Sequence, residues 1–215
     1  MYFLKQLSHQ GFEEIAITTN GVLAGKYLEE LYEIGIRRLN LSLDTLNEQK
    51  FREITGKDDF KVVMQTFNRM LDLGFELKIN CVVLDGINDD ELGQFAELSL
   101  KHPLSIRFIE KMPFDGLSNK EASDFIGYKI IRNRLLNLFP GLEKIQDPIS
   151  SSALNYRIVG ALGTIGIIPA YSRTFWGSCN RLRITALGEL KTCLYENKGM
   201  SVRDVIRNNP NDKKA

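Results

Sequence analysis

Residues 75–112 read FELKINCVVLDGINDDELGQFAELSLKHPLSIRFIEKM. Two apolar runs, FELKINCVVL and LSIRFIEKM, bracket the helical segment DDELGQFAELSLKH. That segment opens on acidic residues suited to a helix N-terminus and closes before Pro103. A strand, a helix and a second strand in that order predict a parallel pair joined by a right-handed crossover.

The same alternation extends upstream. DDFKVVMQTFNRMLDLG places Val63, Phe67, Met70 and Leu71 at helical spacing and stops at Gly74. Before it come the strand RRLNLSLD, a helix around KYLEELYEIG and the strand EEIAITTNG. The helix YFLKQLSHQ precedes them all and stops at Gly11. No strand lies ahead of that helix, so the strand at Ile15 to Thr19 is expected to show an edge where an earlier βα unit would pair. The sequence reads as starting inside a fold.

After Asp115 the pattern changes. A helix is expected over Ser123 to Phe139, then two short strands around a Gly-rich turn in PISSSALNYRIVGALGTIGIIPAYS. RLRITALGELKTCLY predicts a hairpin turning at Gly188, and MSVRDVIRNN a short last helix. The expected organisation is α/β, with alternating helices and parallel strands over residues 1–115 and a changed, α+β pattern over 116–215.

The totals exclude several function classes. With 28 basic and 27 acidic residues the formal charge is +1, which leaves no electrostatic footprint for nucleic acid or an anionic membrane. No apolar run approaches the roughly 18–20 residues that span a bilayer, and the first residues do not resemble a secretion signal. Three cysteines do not make a disulfide framework, so a reducing cytoplasm is expected.

Polar residues gather at the C-terminal ends of the strands: Thr18, Thr19 and Asn20; Ser42 and Asp44; Lys78 and Asn80; Arg107, Glu110 and Met112. On one strand such a cluster is ordinary. On four in succession it points to a ligand site, because ligands bind at that edge of barrels and open α/β sheets.

A second concentration is FWGSCNRLRITALGELKTCLY, residues 175–195. Cys179 and Cys193, with thirteen residues between them, fall near the ends of adjacent hairpin strands. Thiolates so placed suit a soft metal centre. Arg181 and Arg183, two and four residues after Cys179, suit a phosphate or purine, since guanidinium forks bind oxyanions bidentately. On spacing alone, buried structural cysteines and a solvated cationic strand remain open.

ITTNG, RRLNLSLD, LKINCVV, GINDDE, IRFIEKMP and FWGSCNRLRITALGELKTCLY together resemble the GTP 3′,8-cyclase family of radical S-adenosylmethionine enzymes, which act in molybdenum cofactor biosynthesis. The resemblance runs from about residue 10 to residue 205 in the family's order. It implies an incomplete TIM-type (β/α)6 barrel. One 4Fe–4S cluster, on a C-x3-C-x2-C loop, cleaves S-adenosylmethionine to a radical; a second, on a C-x2-C-x13-C set, holds the GTP base.

Carried over by position, the resemblance assigns Ser42 and Met112 to S-adenosylmethionine. It assigns Thr18, Lys78, Arg107, Arg181, Leu182 and Arg183 to GTP, and Cys179 and Cys193 to the second cluster. Phe175 matches the aromatic residue before that cluster's first ligand. GTP and S-adenosylmethionine are the expected partners, and a homodimer is compatible with the reading.

Two departures qualify the activity. Trp176 stands where the second cluster's first cysteine is expected, and indole does not ligate iron, so that ligand set is incomplete. Neither C-x3-C-x2-C nor Gly-Gly-Glu-Pro occurs in the chain. Cys81 is expected to pack in its strand, and His9 and His102 to lie at the surface of the helical layer. The expectation is an inactive portion of a cyclase. The alternatives are a degenerate homologue that only binds GTP and a peptide-modifying relative, which the paired arginines disfavour.

Overall fold

The computed structural model describes residues 1–112, 125–148, 151–172, 181–193 and 199–208. They group into two compact units, Met1–Thr174 and Phe175–Ala215.

The first unit is a seven-stranded sheet with helices packed on it. Helix α1 (Tyr2–Ser8) leads to β1 (Ala16–Thr19), a 3-10 turn, α2 (Leu28–Glu33) and β2 (Arg38–Ser42). Then follow α3 (Glu48–Thr55), α4 (Phe60–Asp72), β3 (Glu76–Val83), α5 (Leu92–Lys101) and β4 (Ser105–Glu110). Helix α6 (Tyr128–Leu138) and strands β5 (Leu142–Lys144), β6 (Leu154–Ile158) and β7 (Thr164–Ile168) complete it. The sheet order is β1-β2-β3-β4-β7-β6-β5. Strands β1, β2, β3, β4 and β7 run parallel, while β5 and β6 are antiparallel to their neighbours. This is the α/β architecture expected, with the parallel sheet extended by a hairpin.

Strand alternation assigns each side chain to a face. Leu41, Ile79, Ile106 and Ile165 stand in one cross-strand row, and Cys81, Phe108 and Ile167 in another. All are buried beneath Val63, Phe67 and Met70 of α4, Phe95 and Ala96 of α5, and Ile131 and Leu135 of α6. The opposite face of the parallel strands carries Thr18, Asn40, Lys78 and Ser105, and it is half-buried or exposed. Parallel sheets normally bury apolar residues on both faces. A polar row on one of them is therefore the feature to explain.

Three expectations need correction. The helix expected from Ser123 starts at Tyr128, because Gly127 caps it in an extended conformation and Phe125 pairs as an isolated bridge with Leu84. Residues Met200 and Ser201, read as helical, form a strand before α7 (Val202–Asn208). His102 is half-buried at the C-terminal cap of α5, whereas His9 is exposed as expected. Helix α3 and strand β5 were not expected; Asn47 caps α3 through its side chain, and Gly56 ends it in the left-handed region at φ 66.

In the second unit, β8 (Arg183–Ile184), β9 (Glu189–Lys191) and β10 (Met200–Ser201) form an antiparallel sheet in the order β10-β9-β8. The β8–β9 hairpin turns at Gly188 as expected. Its φ is +79, and a Cβ there would stand 2.7 Å from Arg203 Cβ, so both conformation and space call for glycine.

Candidate functional site

The parallel strands arrange the open face in rows. Thr18, Asn40, Lys78, Ser105 and Thr164 are register partners across five strands, and Ser42, Asn80, Arg107 and Gly166 form the next row. Asn40 Nδ2 donates to Thr18 Oγ1 at 3.1 Å, so the two side chains define one edge of the face. Asn80 Oδ1 is buried and accepts no hydrogen bond among the described residues, an acceptor suited to a donor from a ligand or water. Arg107 Cγ lies 3.5 Å from where a Cβ on Gly166 would stand, so the glycine leaves the arginine stem room across β7.

Charge on this face is unevenly compensated. Arg38, one row below Lys78, is paired with Glu14 and with Glu76, the latter at 2.6 Å. Lys78 is half-buried and makes no ion pair among the described residues. Burial and then the Arg107 and Arg38 guanidiniums hold the Lys78 ammonium below the ordinary lysine range, and Glu76 opposes them only in part. A cation in this position gains most from an incoming anion.

The C-terminal ends of β2, at Ser42, and of β3, at Val82 and Val83, are fixed by the GINDDE segment, whereas Lys78 stands third in β3. Asn88 is buried; its Nδ2 donates to Asp44 O at 2.6 Å and Val82 O at 2.9 Å, and its Oδ1 accepts from Leu84 N at 2.8 Å. Asp44 Oδ1 accepts from Val82 N at 2.8 Å. The buried Glu91 carboxylate accepts from Thr45 Oγ1 at 2.7 Å and Leu46 N at 2.6 Å, and it pairs with Lys50 at 3.2 Å. These two motifs, SLD and GINDDE, hold the strand ends.

The structure therefore brings Thr18, Lys78, Ser42 and Arg107 onto one face. Met112 follows β4 two residues beyond its end and is half-buried. In the second unit, Arg183 is directly opposite Lys191, and Ile184 opposite Leu190. Arg181 and Leu182 are exposed, and Cys193 is half-buried. Cys179, Trp176 and Phe175 lie outside the described residues. The reading of the sequence passed over Asn40 and Lys191. The signals were there: the alternation in RRLNLSLD, and a cation on the strand facing Arg183.

The chain's donor set does not fit the first cluster of the resembling enzymes. Its three cysteines are far apart in sequence, and Cys81 faces the core, where burial pushes its thiol well up. Among the described residues no three His, Cys, Asp or Glu side chains gather as metal ligands. For the second cluster the sequence offers Cys179 and Cys193 with Trp176 in the third place, one thiolate short.

Comparison with known proteins places this geometry. The first unit has the fold of radical S-adenosylmethionine proteins. A domain of the pyruvate-formate lyase-activating enzyme from Bacteroides vulgatus superposes with a TM-score of 0.50 at 15% identity, over 77% of this chain and 88% of that one. Residues 1–99 match the Radical SAM superfamily. The chain belongs to the Molybdenum Cofactor Synthesis C family, which matches residues 104–215, just over half of it.

It is 40% identical over 210 residues to a GTP 3′,8-cyclase of Alkaliphilus oremlandii, covering 97% of this chain and 64% of that protein. It is 42% identical over 200 residues to molybdenum cofactor biosynthesis protein 1 of Mus musculus, covering 92% of this chain and 31% of that protein. The chain thus spans less than two-thirds of the length of these relatives. No helix among the described residues is long and apolar enough to cross a membrane.

Proposed function

We propose that these 215 residues supply the GTP-holding portion of a GTP 3′,8-cyclase of molybdenum cofactor biosynthesis. The observation that carries the reading is the diagonal placement of Lys78 and Arg107 on the open face of a parallel sheet, where Lys78 makes no ion pair among the described residues. A triphosphate supplies the missing negative charge, and a guanidinium beside an ammonium suits its oxyanions. Thr18 and Asn40 offer hydroxyl and amide groups at the same row. The resemblance assigns Arg181, Leu182 and Arg183 to the same ligand, and Ser42 and Met112 to S-adenosylmethionine.

A 4Fe–4S cluster in this superfamily supplies the electron that cleaves S-adenosylmethionine. No residue set of this chain fits that cluster, so the contribution read here is binding: orienting GTP and compensating its charge. Trp176 favours a second reading, a homologue that binds GTP without turning it over, because it removes one ligand of the second cluster. Equilibrium dialysis of the chain against GTP, with and without S-adenosylmethionine and dithionite, tests the proposal. The expected result is GTP retention with no 5′-deoxyadenosine formed. Absence of GTP retention contradicts it.

A further inference from the structure

Thr18 on β1 and Asn40 on β2 are register partners, and Lys78 on β3 is the next member of their row. Parallel partners put their side chains on one face, with about 4.8 Å between neighbouring strands. Asn40 Nδ2 donates to Thr18 Oγ1 at 3.1 Å. A hydroxyl has two lone pairs and one proton. The bond from Asn40 occupies a lone pair, so the Thr18 proton is not used within the pair. Thr18 donates it to no acceptor among the described residues.

The surroundings offer that proton no acidic acceptor. The row continues through Ser105 on β4 and Thr164 on β7 and holds no carboxylate. Glu14 and Glu76 are taken by Arg38, one row below. Thr19 faces the other way, and its Oγ1 accepts from Gly21 N at 3.1 Å. Thr18 itself is exposed and Asn40 half-buried. A ligand on this face therefore meets a proton donor at Thr18, in the same row as the Lys78 ammonium. Both groups call for an acceptor oxygen.

We propose that Asn40 is a positioning residue that acts through Thr18, holding the threonine as a proton donor to an oxygen of GTP; the GTP clause rests on the function proposed above. Thr18 makes the contact, and Asn40 sets which side of the hydroxyl the ligand meets. N40D replaces the amide donor by a carboxylate that only accepts, so it takes the Thr18 proton and turns a lone pair toward the ligand. The same carboxylate stands next to Lys78 across the strands and offsets part of its charge. T18V keeps the shape of the side chain and removes the hydroxyl.

The experiment titrates GTP, and separately inorganic tripolyphosphate, into wild type, N40A, T18V, the double variant and N40D, with urea unfolding of each as the check of fold. The expected result is a GTP dissociation constant raised about tenfold by T18V and about fivefold by N40A, with little further change from N40A once T18V is present. That non-additivity separates action through Thr18 from a structural role, which would weaken both backgrounds equally. N40D is expected to weaken GTP by more than about tenfold. Coupling that persists with tripolyphosphate places the oxygen on a phosphate; coupling with GTP alone places it on the nucleoside. Additive effects of N40A and T18V overturn the proposal, and so does wild-type affinity in N40D. Where N40A fails to fold, N40L, close to asparagine in size and without a donor, takes its place. A wild type that binds tripolyphosphate but not GTP overturns the function proposed above, and the tripolyphosphate cycle then decides the role of Asn40 by the same criterion. A wild type that binds neither overturns both.

Discussion

Lys78 and Arg107 are diagonal neighbours on β3 and β4, on the same open face of the sheet, and the guanidinium helps burial hold the ammonium below the ordinary lysine range. Two cations so placed repel each other in the empty protein. They attract an anion that bridges them. This relationship sets the pH behaviour of the site.

In the folded chain Lys78 holds its proton less tightly than a lysine in the unfolded chain. It therefore opposes stability below its folded pKa, and the opposition fades as pH rises from there toward the ordinary lysine range. A bound triphosphate reverses the imbalance and pulls a proton back. GTP binding in alkaline buffer is expected to take up protons, and affinity to fall as pH rises through the folded Lys78 pKa. Calorimetric titrations in two buffers of different ionisation enthalpy measure the uptake; no difference between them contradicts it.

Glu91 is 2% exposed and holds Thr45, Leu46 and Lys50 together. Replacing it by alanine leaves Lys50 without one carboxylate, and the buried Thr45 hydroxyl and half-buried Leu46 N–H without that acceptor. E91A is expected to lose about 3–5 kcal/mol of stability, read as a lower urea midpoint. A loss below about 1 kcal/mol would place Glu91 among ordinary surface residues.

Asp44 is the reverse case. Desolvation raises its carboxyl above the usual range, and the bond from Val82 N only partly offsets this. An asparagine oxygen keeps that bond and removes the buried charge. The folded state binds the Asp44 proton more tightly than the unfolded state, so this group's contribution to stability falls as pH rises from the unfolded toward the folded pKa. D44N is expected to melt at or above the wild-type temperature at pH 7, with the advantage vanishing below about pH 4 where Asp44 is protonated. A lower melting temperature at pH 7 would refute the assignment.

A cysteine at position 176 would give the chain, with Cys179 and Cys193, the C-x2-C-x13-C spacing that the resemblance implies for a second cluster. After anaerobic reconstitution with iron and sulfide, W176C is expected to hold about four irons per chain with broad absorption near 400 nm, and the wild type markedly less. Equal iron content in the two proteins would show that position 176 is not a ligand position.

Much of this was legible in the sequence because it rests on periodicity. The buried faces of β3 and β4 follow from strict alternation in FELKINCVVL and LSIRFIEKM, and Gly188 marked its turn. The polar positions Thr18, Ser42, Lys78 and Arg107 were legible for the same reason, but Lys78 and Arg107 stand third in β3 and β4 rather than at their C-terminal ends, because both strands run on beyond them. Helix α3 was missed because it presents only one buried side chain, Phe51, so its apolar stripe is too sparse to read. Glu91 could not be read as a clasp. Its partners are brought close by tertiary structure, and the Leu46 N–H among them is a backbone donor that leaves no mark in a sequence. Met200 and Ser201 read as helical because a two-residue strand is shorter than any pattern.

The central claim is that Lys78 and Arg107 hold the phosphates of GTP. Its most direct test is anaerobic isothermal titration of GTP into wild type, K78A, R107A and the double variant. The account predicts measurable binding by the wild type and a dissociation constant at least about tenfold higher for each single variant, since a hydrogen bond to a charged group contributes roughly 1.5–3 kcal/mol. The double variant is expected to bind no GTP in the same range. Wild-type affinity retained in the double variant would contradict the account.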